Sequence, residues 1–235
     1  MHVDAPFGSE TLTTRDGSTT LVHPVYAQTY HSHHGALTES NHVFLGHSAL
    51  AERLSHGPVH LLEIGIGTGL NLALSATLAQ RLSGTLHYVG IEQFPPKDSD
   101  LDALGYEHYD AVDADIWAAC RQHFDARTPA WSLPSHPPAA PSTITCHWGR
   151  FEAYPFAPER FDIVYHDAFS PDVNPECWSP AALERITDAM KPGGVLVTYS
   201  VQGAVRRALS ACGLTVERLP GPKDGKRQVL RAQKP

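Results

Sequence analysis

The stretch that decides the fold runs from Leu61 to Asn71 and reads LLEIGIGTGLN. Three alternate glycines, Gly65, Gly67 and Gly69, follow a short apolar run and precede a second one of helical character. Because glycine has no Cβ, it lets the chain turn sharply and brings backbone N–H groups against a ligand at the start of a helix. The stretch therefore predicts a buried strand, a tight ligand-binding turn and a helix.

Short apolar runs alternate with amphipathic ones from residue 59 onward. This alternation is typical of a parallel sheet with helices on both faces. The fold class we predict is α/β, a Rossmann-like, doubly wound and mostly parallel sheet of seven strands. Parallel strands are expected at 59–64, 86–92, 143–147, 161–166 and 194–200, with helices near 70–82, 110–124, 179–190 and 202–212.

Both ends of the chain carry hairpin signals. Two β-branched runs flank Asp16-Gly17 between Thr11 and Val22, which predicts an N-terminal β-hairpin. Residues 214–219 and 227–232 predict a terminal antiparallel hairpin. The proline-rich residues 128–142 predict a loop, and residues 49–54 a short helix. We expect residues 1–55 to form a hairpin and lid extension and residues 56–235 to form the main domain, as one structural unit.

Composition limits the class of protein. The 235 residues are 42% hydrophobic and 18% charged, which suits one packed domain and excludes a disordered or fibrous chain. The first ten residues resemble neither a signal nor a transit peptide. The apolar window 59–82 is interrupted by Glu63 and glycines, so no membrane span is predicted. Four cysteines without a Cys-x-x-Cys pair favour free thiols in a reducing, cytoplasmic compartment.

Carboxylates end the first two predicted strands. Glu92 lies 29 residues after Glu63, where a carboxylate can accept hydrogen bonds from both hydroxyls of a ribose. The Glu-x-Gly-x-Gly-x-Gly spacing resembles methyltransferases that use S-adenosyl-L-methionine, whereas a dinucleotide turn has its third glycine later. The resemblance implies this cofactor, with Glu63 near its amino group or sulfonium and Gly149-Arg150 near its adenine. The alternative is a glycine turn without a ligand.

The fourth strand is followed by the acidic, aromatic and proline residues Asp167, Phe169 and Pro171. Ligands of open α/β sheets bind beyond the carboxyl ends of strands, so Asp167 is expected in the same crevice as the glycine turn. The order resembles the (D/N)-P-P-(Y/F) motif of amino-group methyltransferases. An alkylammonium acceptor must lose a proton before methylation, and Asp167 is expected to accept that proton or to orient the amine. Phe169 and Trp178 are candidates for stacking on an extruded base, with core packing as the alternative.

Nearly the whole chain resembles the MnmC-type tRNA methyltransferase family. The most specific matches are the blocks Tyr30–Leu45 and Asp167–Trp178, whereas the glycine turn and Lys191–Gly194 recur in many methyltransferases. The resemblance implies a stand-alone methylase, without the flavin-dependent oxidase domain, that converts 5-aminomethyl-uridine to 5-methylaminomethyl-uridine at the wobble position of tRNA. It departs from the family at Gln228, where glutamate is frequent, and at Arg150, where aspartate is frequent.

The resemblance and the motifs together give one set of predicted site residues. Tyr30 is expected against the cofactor, under a lid formed by the segment of residues 31–47, whose histidines are expected to face solvent or RNA. The predicted catalytic residues are Asp167, Phe169 and Pro171. The predicted cofactor-binding residues are Tyr30, Glu63, Gly65, Gly67, Gly69, Asn71, Glu92, Gly149, Arg150 and Asp167. No metal is predicted, because the histidines lack cysteine or carboxylate partners at metal-ligand spacing.

The end of the chain is basic although the protein as a whole is acidic. Residues 191–235 hold nine Lys and Arg against two Asp and Glu, within a formal net charge of −7. A cationic face can hold phosphates, and a plain solvated surface is the alternative. With the family in view, we expect contact with the tRNA anticodon arm, after a separate enzyme has exposed the amine. The predicted tRNA-binding residues are Trp178, Arg206, Arg207, Lys223, Lys226, Arg227 and Arg231.

Two other functions stay open on the sequence alone. One keeps the cofactor but has a small-molecule amine as acceptor, in a methyltransferase or an aminopropyltransferase. The other is an RNA-binding module without catalysis, against which the intact Glu63, Glu92 and Asp167 argue.

Overall fold

The computed structural model describes residues 10–133 and 140–235. Residues 1–9, which belong to the stretch that resembles neither a signal nor a transit peptide, and residues 134–139 of the predicted proline-rich loop lie outside these ranges. The strands are β1 (Glu10–Thr13), β2 (Thr19–Val22), β3 (Val59–Ile64), β4 (Leu86–Glu92), β5 (Ala130–Ser132), β6 (Thr143–Trp148), β7 (Phe161–His166), β8 (Met190–Thr198), β9 (Thr215–Pro220) and β10 (Gln228–Gln233). The α-helices are α1 (Ala36–Glu39), α2 (Leu50–His56), α3 (Leu70–Arg81), α4 (Asp98–Asp102), α5 (Ala114–Asp125), α6 (Pro180–Ala189) and α7 (Gly203–Ala211).

Eight strands form the central sheet in the order β5-β6-β4-β3-β7-β8-β10-β9. The five strands from β6 to β8 in this order are parallel, and β10 and β9 add an antiparallel hairpin at one edge. The predicted mostly parallel sheet with a C-terminal antiparallel hairpin is confirmed. Because β3, β4, β6, β7 and β8 run in the same direction, their carboxyl ends meet at one edge of the sheet.

The predicted count of seven strands is wrong, because β5 pairs antiparallel with β6 inside the segment predicted to be a loop. The prolines of this segment made a loop the expected structure. Trp131 overrides that tendency: its side chain is buried, and its ring stacks on His123 with centroids 4.5 Å apart. Burial of one large aromatic side chain thus fixes a short edge strand.

Two other boundaries differ by four residues from the predicted ones. Helix α5 begins at Ala114 rather than near 110, because the Asp113 carboxylate accepts hydrogen bonds from the backbone of Asp115 and Ile116 and caps the helix there. Strand β8 begins at Met190, four residues before the predicted start, and pairs irregularly with β7 near its beginning.

The core lies on both faces of the sheet. Leu61, Ile163 and Val195 pack on one face with α3 and α5, and their neighbours along the strands, such as Leu62 and Val164, pack on the other with α6 and α7. This alternation follows from the two-residue period of a strand. Both faces are covered, which explains the continuous apolar runs of the sequence.

The predicted N-terminal hairpin is present, with Asp16-Gly17 in its turn. Leu21 of β2 and Phe44, which lies in a π-helix at Ser40–Gly46, are buried in the same core as Leu61. The division at residues 55 and 56 stays a prediction.

Two findings concern the class of protein. Within the described ranges, no helix has the length and hydropathy of a membrane span. All four cysteines fall within those ranges and are free thiols, as predicted.

The hairpin turn is fixed to α1 by the Asp16 carboxylate. It accepts hydrogen bonds from Thr14 Oγ1 (2.8 Å), from the backbone N–H of Ser18 (3.0 Å), and from Thr38 through its N–H (2.9 Å) and Oγ1 (2.7 Å). Burial raises the pKa of Asp16, but the hydrogen bonds from Ser18, Thr38 and Thr14 outweigh it and hold this pKa well below its usual value.

We expect Asp16→Asn to destabilise the protein at pH 7 by about 1 kcal/mol, a figure reduced for the exposure of the side chain. An amide nitrogen cannot accept the hydrogen bonds that one carboxylate oxygen now receives. The melting temperature falls by about 2–4 °C. Because the folded-state pKa lies below the unfolded one, the carboxylate stabilises fully above the unfolded value and loses its contribution as the pH falls through the folded value.

Thermal unfolding between pH 2 and pH 7 measures this difference. The control is Asp125→Asn, an exposed aspartate at the end of α5 that changes the charge equally. Equal falls of the melting temperature in the two variants would contradict a stabilising role of the Asp16 carboxylate.

Candidate active site

A cavity of about 630 Å³ opens at the carboxyl edge of the parallel strands. Its walls come from the glycine turn after β3, the segments after β4 and β7, the residue after β8, and the N-terminal segment 26–34. A volume of this size suits a cofactor together with part of a substrate.

The glycine turn is shaped by positive φ angles and close backbone contacts. Gly65 has φ +87°, and a Cβ there would lie 2.8 Å from the backbone oxygen of Asp167. Gly67 has φ +55°, and a Cβ there would lie 2.8 Å from Cδ1 of Tyr30. L-residues rarely adopt these angles, and the contacts leave no room for a side chain. The turn after β3 therefore touches the segment after β7 directly.

Glu92 is fixed at the cavity wall by backbone donors. Its Oε2 accepts from the N–H of Gly67 at 2.9 Å, and its Oε1 from the N–H of Phe94 at 2.7 Å. Burial raises the pKa of this carboxyl, and the backbone hydrogen bonds counteract the rise. The carboxylate thus sits between the glycine turn and the end of β4, where the sequence predicted a ribose contact.

Asn71, in the first turn of α3, bridges two carboxylates. Its Nδ2 donates to Glu63 at 2.8 Å and to Asp167 at 2.9 Å, while the Tyr88 hydroxyl also donates to Glu63. Burial raises the pKa of Glu63 to about 8 and raises the pKa of Asp167 well above its usual value. Charge from Glu63 and Glu39 adds to the rise at Asp167. A carboxyl whose pKa lies well above its usual value is suited to proton transfer near neutral pH.

Aromatic rings gather around Phe169 at the cavity mouth. The ring centroids of His23 and Tyr26 lie 4.9 Å from that of Phe169, and that of Tyr30 lies 5.1 Å away. Burial lowers the pKa of His23 to about 4, so this ring is neutral at pH 7. The N-terminal segment is also fixed to the segment after β7, because Gln28 Nε2 donates to Ser170 Oγ at 2.9 Å.

The structure brings eight of the nineteen predicted site residues to the wall of this cavity. Those that line it are Tyr30, Gly65, Gly67, Glu92, Gly149, Asp167, Phe169 and Lys226. Glu63, Gly69 and Asn71 lie directly behind the wall: Glu63 and Asn71 support Asp167, and Gly69 precedes α3 with a hypothetical Cβ 2.9 Å from Phe124.

Other predicted residues lie elsewhere. Trp178 is buried, stacks on His166 at 4.0 Å and donates its indole N–H to the Phe169 carbonyl, so it supports Phe169 rather than facing the cavity. Arg150 is exposed and pairs with Glu152 at 3.2 Å, because its guanidinium finds a carboxylate two residues away. Pro171 lies outside the cavity wall, as do Arg206, Arg207, Lys223, Arg227 and Arg231.

Several lining residues were not among the predicted ones, including the polar and aromatic side chains of Tyr26, Glu39, Phe94 and Tyr199. Phe94 and Tyr199 follow the carboxyl ends of β4 and β8, and the position rule that found Asp167 would have found them too. Tyr26 and Glu39 come from the N-terminal segment, whose docking over the sheet left no periodic signal in the sequence.

The histidines of residues 31–47 were expected to face solvent or RNA, but not all of them do. His31 is buried, with Nδ1 3.1 Å from Thr20 Oγ1, and His42 and His47 both approach the Pro220 carbonyl, at 2.9 Å and 3.1 Å. A search of residues 10–133 and 140–235 finds no group of three or more His, Cys, Asp or Glu side chains that could hold a metal ion.

We expect Gly65→Ala to weaken S-adenosyl-L-methionine binding about tenfold or more. The new Cβ meets the Asp167 backbone, and the positive φ adds about 1 kcal/mol of strain. Titration calorimetry measures the affinity. The control is Gly193→Ala, which has φ +75° but open space around its Cβ. Equal weakening in both variants would show that backbone strain alone, without the contact at the cavity, is responsible.

Comparison with known proteins finds relatives of this chain in sequence. Residues 148–235 match the model of a family described as S-adenosyl-L-methionine-dependent methyltransferases. The tRNA 5-methylaminomethyl-2-thiouridine biosynthesis bifunctional protein MnmC of Chromobacterium violaceum is 33% identical over 84% of this chain and 31% of its own length. The protein of the same name from Burkholderia thailandensis is 31% identical over 90% of this chain and 33% of its own. The chain thus spans about a third of these relatives.

Solved structures share the fold. MNMC2 from Aquifex aeolicus superposes with a TM-score of 0.76 at 24% identity, covering 99% of this chain and 73% of that one. Spermidine synthase from Thermotoga maritima superposes with a TM-score of 0.54 at 15% identity, covering 99% and 72%. The predicted fold of S-adenosyl-L-methionine-dependent methyltransferases is confirmed. In sequence and in fold, the chain is therefore related to the MnmC-type proteins, among the S-adenosyl-L-methionine-dependent methyltransferases.

Proposed function

We propose that this chain is an S-adenosyl-L-methionine-dependent N-methyltransferase that converts 5-aminomethyl-uridine, with or without sulfur at position 2, to 5-methylaminomethyl-uridine at the wobble position of tRNA. The observation that carries the proposal is the meeting of the glycine turn and Asp167 in one cavity, where Gly65 contacts the Asp167 backbone. The names of the MnmC relatives support the choice of acceptor.

The residues present fit the cofactor. Gly65 and Gly67 leave a cradle that any Cβ would fill, Glu92 stands where a ribose is held, and carboxylates of Glu39, Glu92 and Asp167 line the cavity. Acidic groups favour a ligand that carries a sulfonium and an ammonium. When bound, the cofactor supplies a methyl group on positively charged sulfur.

Asp167 prepares the acceptor amine. The amine enters mostly protonated, since alkylamines have a pKa near that of lysine, about 10.4. The proton passes to a carboxylate oxygen of Asp167 as the N–H bond breaks, which leaves a lone pair on nitrogen. Asn71 holds this carboxylate in place, and the aromatic rings around Phe169 reduce access of water. Asp167 is the proposed catalytic residue.

The anticodon arm of tRNA is the proposed partner of the basic end of the chain. Arg207, Lys223 and Arg227 are exposed there, whereas Arg231 pairs with Glu217 at 3.4 Å. Phosphate contacts from such side chains fix the position of the RNA, while the target base is extruded into the cavity. The reaction that supplies the substrate must leave a free amine on the base.

The direct test is transfer of labelled methyl from the cofactor to tRNA that carries 5-aminomethyl-uridine at the wobble position. We expect incorporation into this tRNA and none into the same tRNA with plain uridine. Asp167→Asn is expected to lower kcat on the order of 10²-fold or more, because an amide cannot take the proton. Cofactor affinity, measured by calorimetry, checks that the variant keeps the site.

Other results would favour the other functions. Transfer of methyl or of an aminopropyl group to a free polyamine, without transfer to tRNA, would mean a small-molecule acceptor. Binding of tRNA without any transfer would mean an RNA-binding module. Full activity of Asp167→Asn would remove Asp167 from the proposed role.

The basic end generates a second prediction. We expect the double variant Arg207→Ala, Arg227→Ala to weaken tRNA binding and to reduce the salt slope of log K by up to about two, because two phosphate contacts are lost. Fluorescence titration over a salt series measures this slope. Lys97→Ala, an exposed lysine outside the basic end, is the control. An unchanged slope in the double variant would place the RNA elsewhere.

A further inference from the structure

Lys226 is an exposed residue of the basic end of the chain, yet it also lines the active-site cavity. Its ammonium lies 3.8 Å from the centroid of the Tyr199 ring, which is a cation–π contact. Tyr199 and Asp167, which follow neighbouring strands, line the same wall together with Glu39. The Lys226 ammonium thus shares a cavity with the carboxyl group that is proposed to take the proton, and its charge lowers the pKa of that group.

This position is held by structure on both sides. The Tyr199 hydroxyl donates to the Ala168 carbonyl at 2.8 Å, which fixes the ring beside the segment that carries Asp167. The turn before Lys226 is closed by hydrogen bonds from Gly221 to Arg227 and from Gly225 to Pro222, both 3.0 Å. The location of the ammonium is therefore a property of the fold.

Sheet order indicates which ligand Lys226 faces. Glu92 ends β4, on one side of β3, whereas Asp167 and Tyr199 follow β7 and β8 on the other side, and Lys226 precedes β10 beyond them. If Glu92 marks the cofactor ribose, Lys226 lies on the opposite side of the glycine turn, next to Asp167. Because the cofactor ribose then occupies the Glu92 side, the acceptor amine lies on the Asp167 side.

We propose that Lys226, held on Tyr199, is a positioning residue of the acceptor site whose positive charge favours the neutral form of the acceptor amine and the ionised form of Asp167. The inference rests on the proposed function, since it needs an amine acceptor. A second cation in the same cavity lowers the apparent pKa of the pair, so amine and Asp167 together lose one proton more readily, and the proton that remains can lie on the Asp167 oxygen while the amine nitrogen keeps its lone pair.

Several other titratable groups surround Lys226 and Asp167. Glu39 of α1, Asp167 after β7 and Glu63 of β3 contribute negative charge, and Asp172 contributes at Tyr199. His34 acts on Glu39 from the N-terminal segment. Burial lowers the pKa of Lys226, while Glu39 and Asp167 oppose this. Glu39 and Asp167 favour the charged form of Lys226, so removing Lys226 removes positive charge from this set.

Removing the Lys226 charge changes the pH dependence of kcat in a direction that can be predicted. Asp167 and the acceptor amine share protons and titrate as a pair. Activity requires the form that has lost one proton, so activity falls as the pH drops through the apparent pKa of the pair. Removing a nearby positive charge raises that pKa, whichever member holds the proton. The acidic limb of the kcat profile therefore moves to higher pH in a variant without the charge.

The test is the pH dependence of kcat and KM for methylation of the aminomethyl tRNA. In Lys226→Met we expect the acidic limb to move up by about one pH unit, and kcat at pH 6 to fall about tenfold. Lys226→Arg keeps a charge and is expected to retain the wild-type midpoint. Tyr199→Phe retains the ring and is also expected to keep the wild-type midpoint. Tyr199→Leu removes the ring, so its acidic limb is expected to move to higher pH, as in Lys226→Met.

Arg227→Met separates this role from phosphate binding. It removes the neighbouring charge outside the cavity, and we expect a higher KM at every pH without a shift of the limb. If Lys226→Met behaves in the same way, Lys226 is a phosphate contact and the inference is wrong. If the wild type methylates the tRNA but no variant shifts the limb, the inference alone fails. Absence of transfer by the wild type would overturn the proposed function and this inference with it.

Equilibrium binding gives a readout that does not depend on turnover. At pH 6 the amine is protonated, so Lys226→Met should bind aminomethyl tRNA more tightly relative to plain-uridine tRNA than the wild type does. The ratio of the two affinities, measured with S-adenosylhomocysteine present, cancels contacts to the rest of the RNA. A ratio unchanged from the wild type would contradict a charge acting at the amine.

Discussion

The bridge from Asn71 to Glu63 and Asp167 is the interaction on which the site depends. Two carboxyl groups held close together and away from water repel each other and lose hydration, so both pKa values rise. A neutral amide that donates to both holds them without adding charge. The bridge also joins α3 to the ends of β3 and β7, which ties the glycine turn, the helix it starts and Asp167 into one unit.

Much of this unit could be predicted from the sequence. The bounds of β3, β4 and β7 were predicted to the residue, because both faces of these strands are covered and their apolar runs are continuous. Asp167 was found by a rule of position, since the carboxyl ends of parallel strands meet at one edge. Strand β5 was missed because the burial of Trp131 outweighs the prolines nearby, and that burial is a tertiary contact.

The sequence was a poorer guide wherever a side chain depends on partners distant along the chain. Lys226 was interpreted as one of several basic residues near the end, yet the fold places it on Tyr199 and beside Glu39, which come from other parts of the chain. Trp178 suited base stacking by residue type, but His166 and the Phe169 carbonyl occupy its ring and its N–H. In both cases the chemistry of the residue type was clear, and the direction of the side chain was set by packing.

The balance of charge in the cavity explains why acidic residues and one lysine occur together. In the proposed reaction the cofactor sulfonium and the acceptor ammonium are both cations, which the carboxylates of Glu39, Glu92 and Asp167 in the cavity wall would attract. Attraction alone would favour the protonated amine, which has no lone pair for the methyl group. The charge of Lys226, in the part of the cavity that holds Asp167, counteracts this preference for the protonated amine. Glu92 lies on the other side of β3, where we propose that it holds the cofactor. Attraction of the ligands and deprotonation of the acceptor are thus assigned to different ends of one cavity.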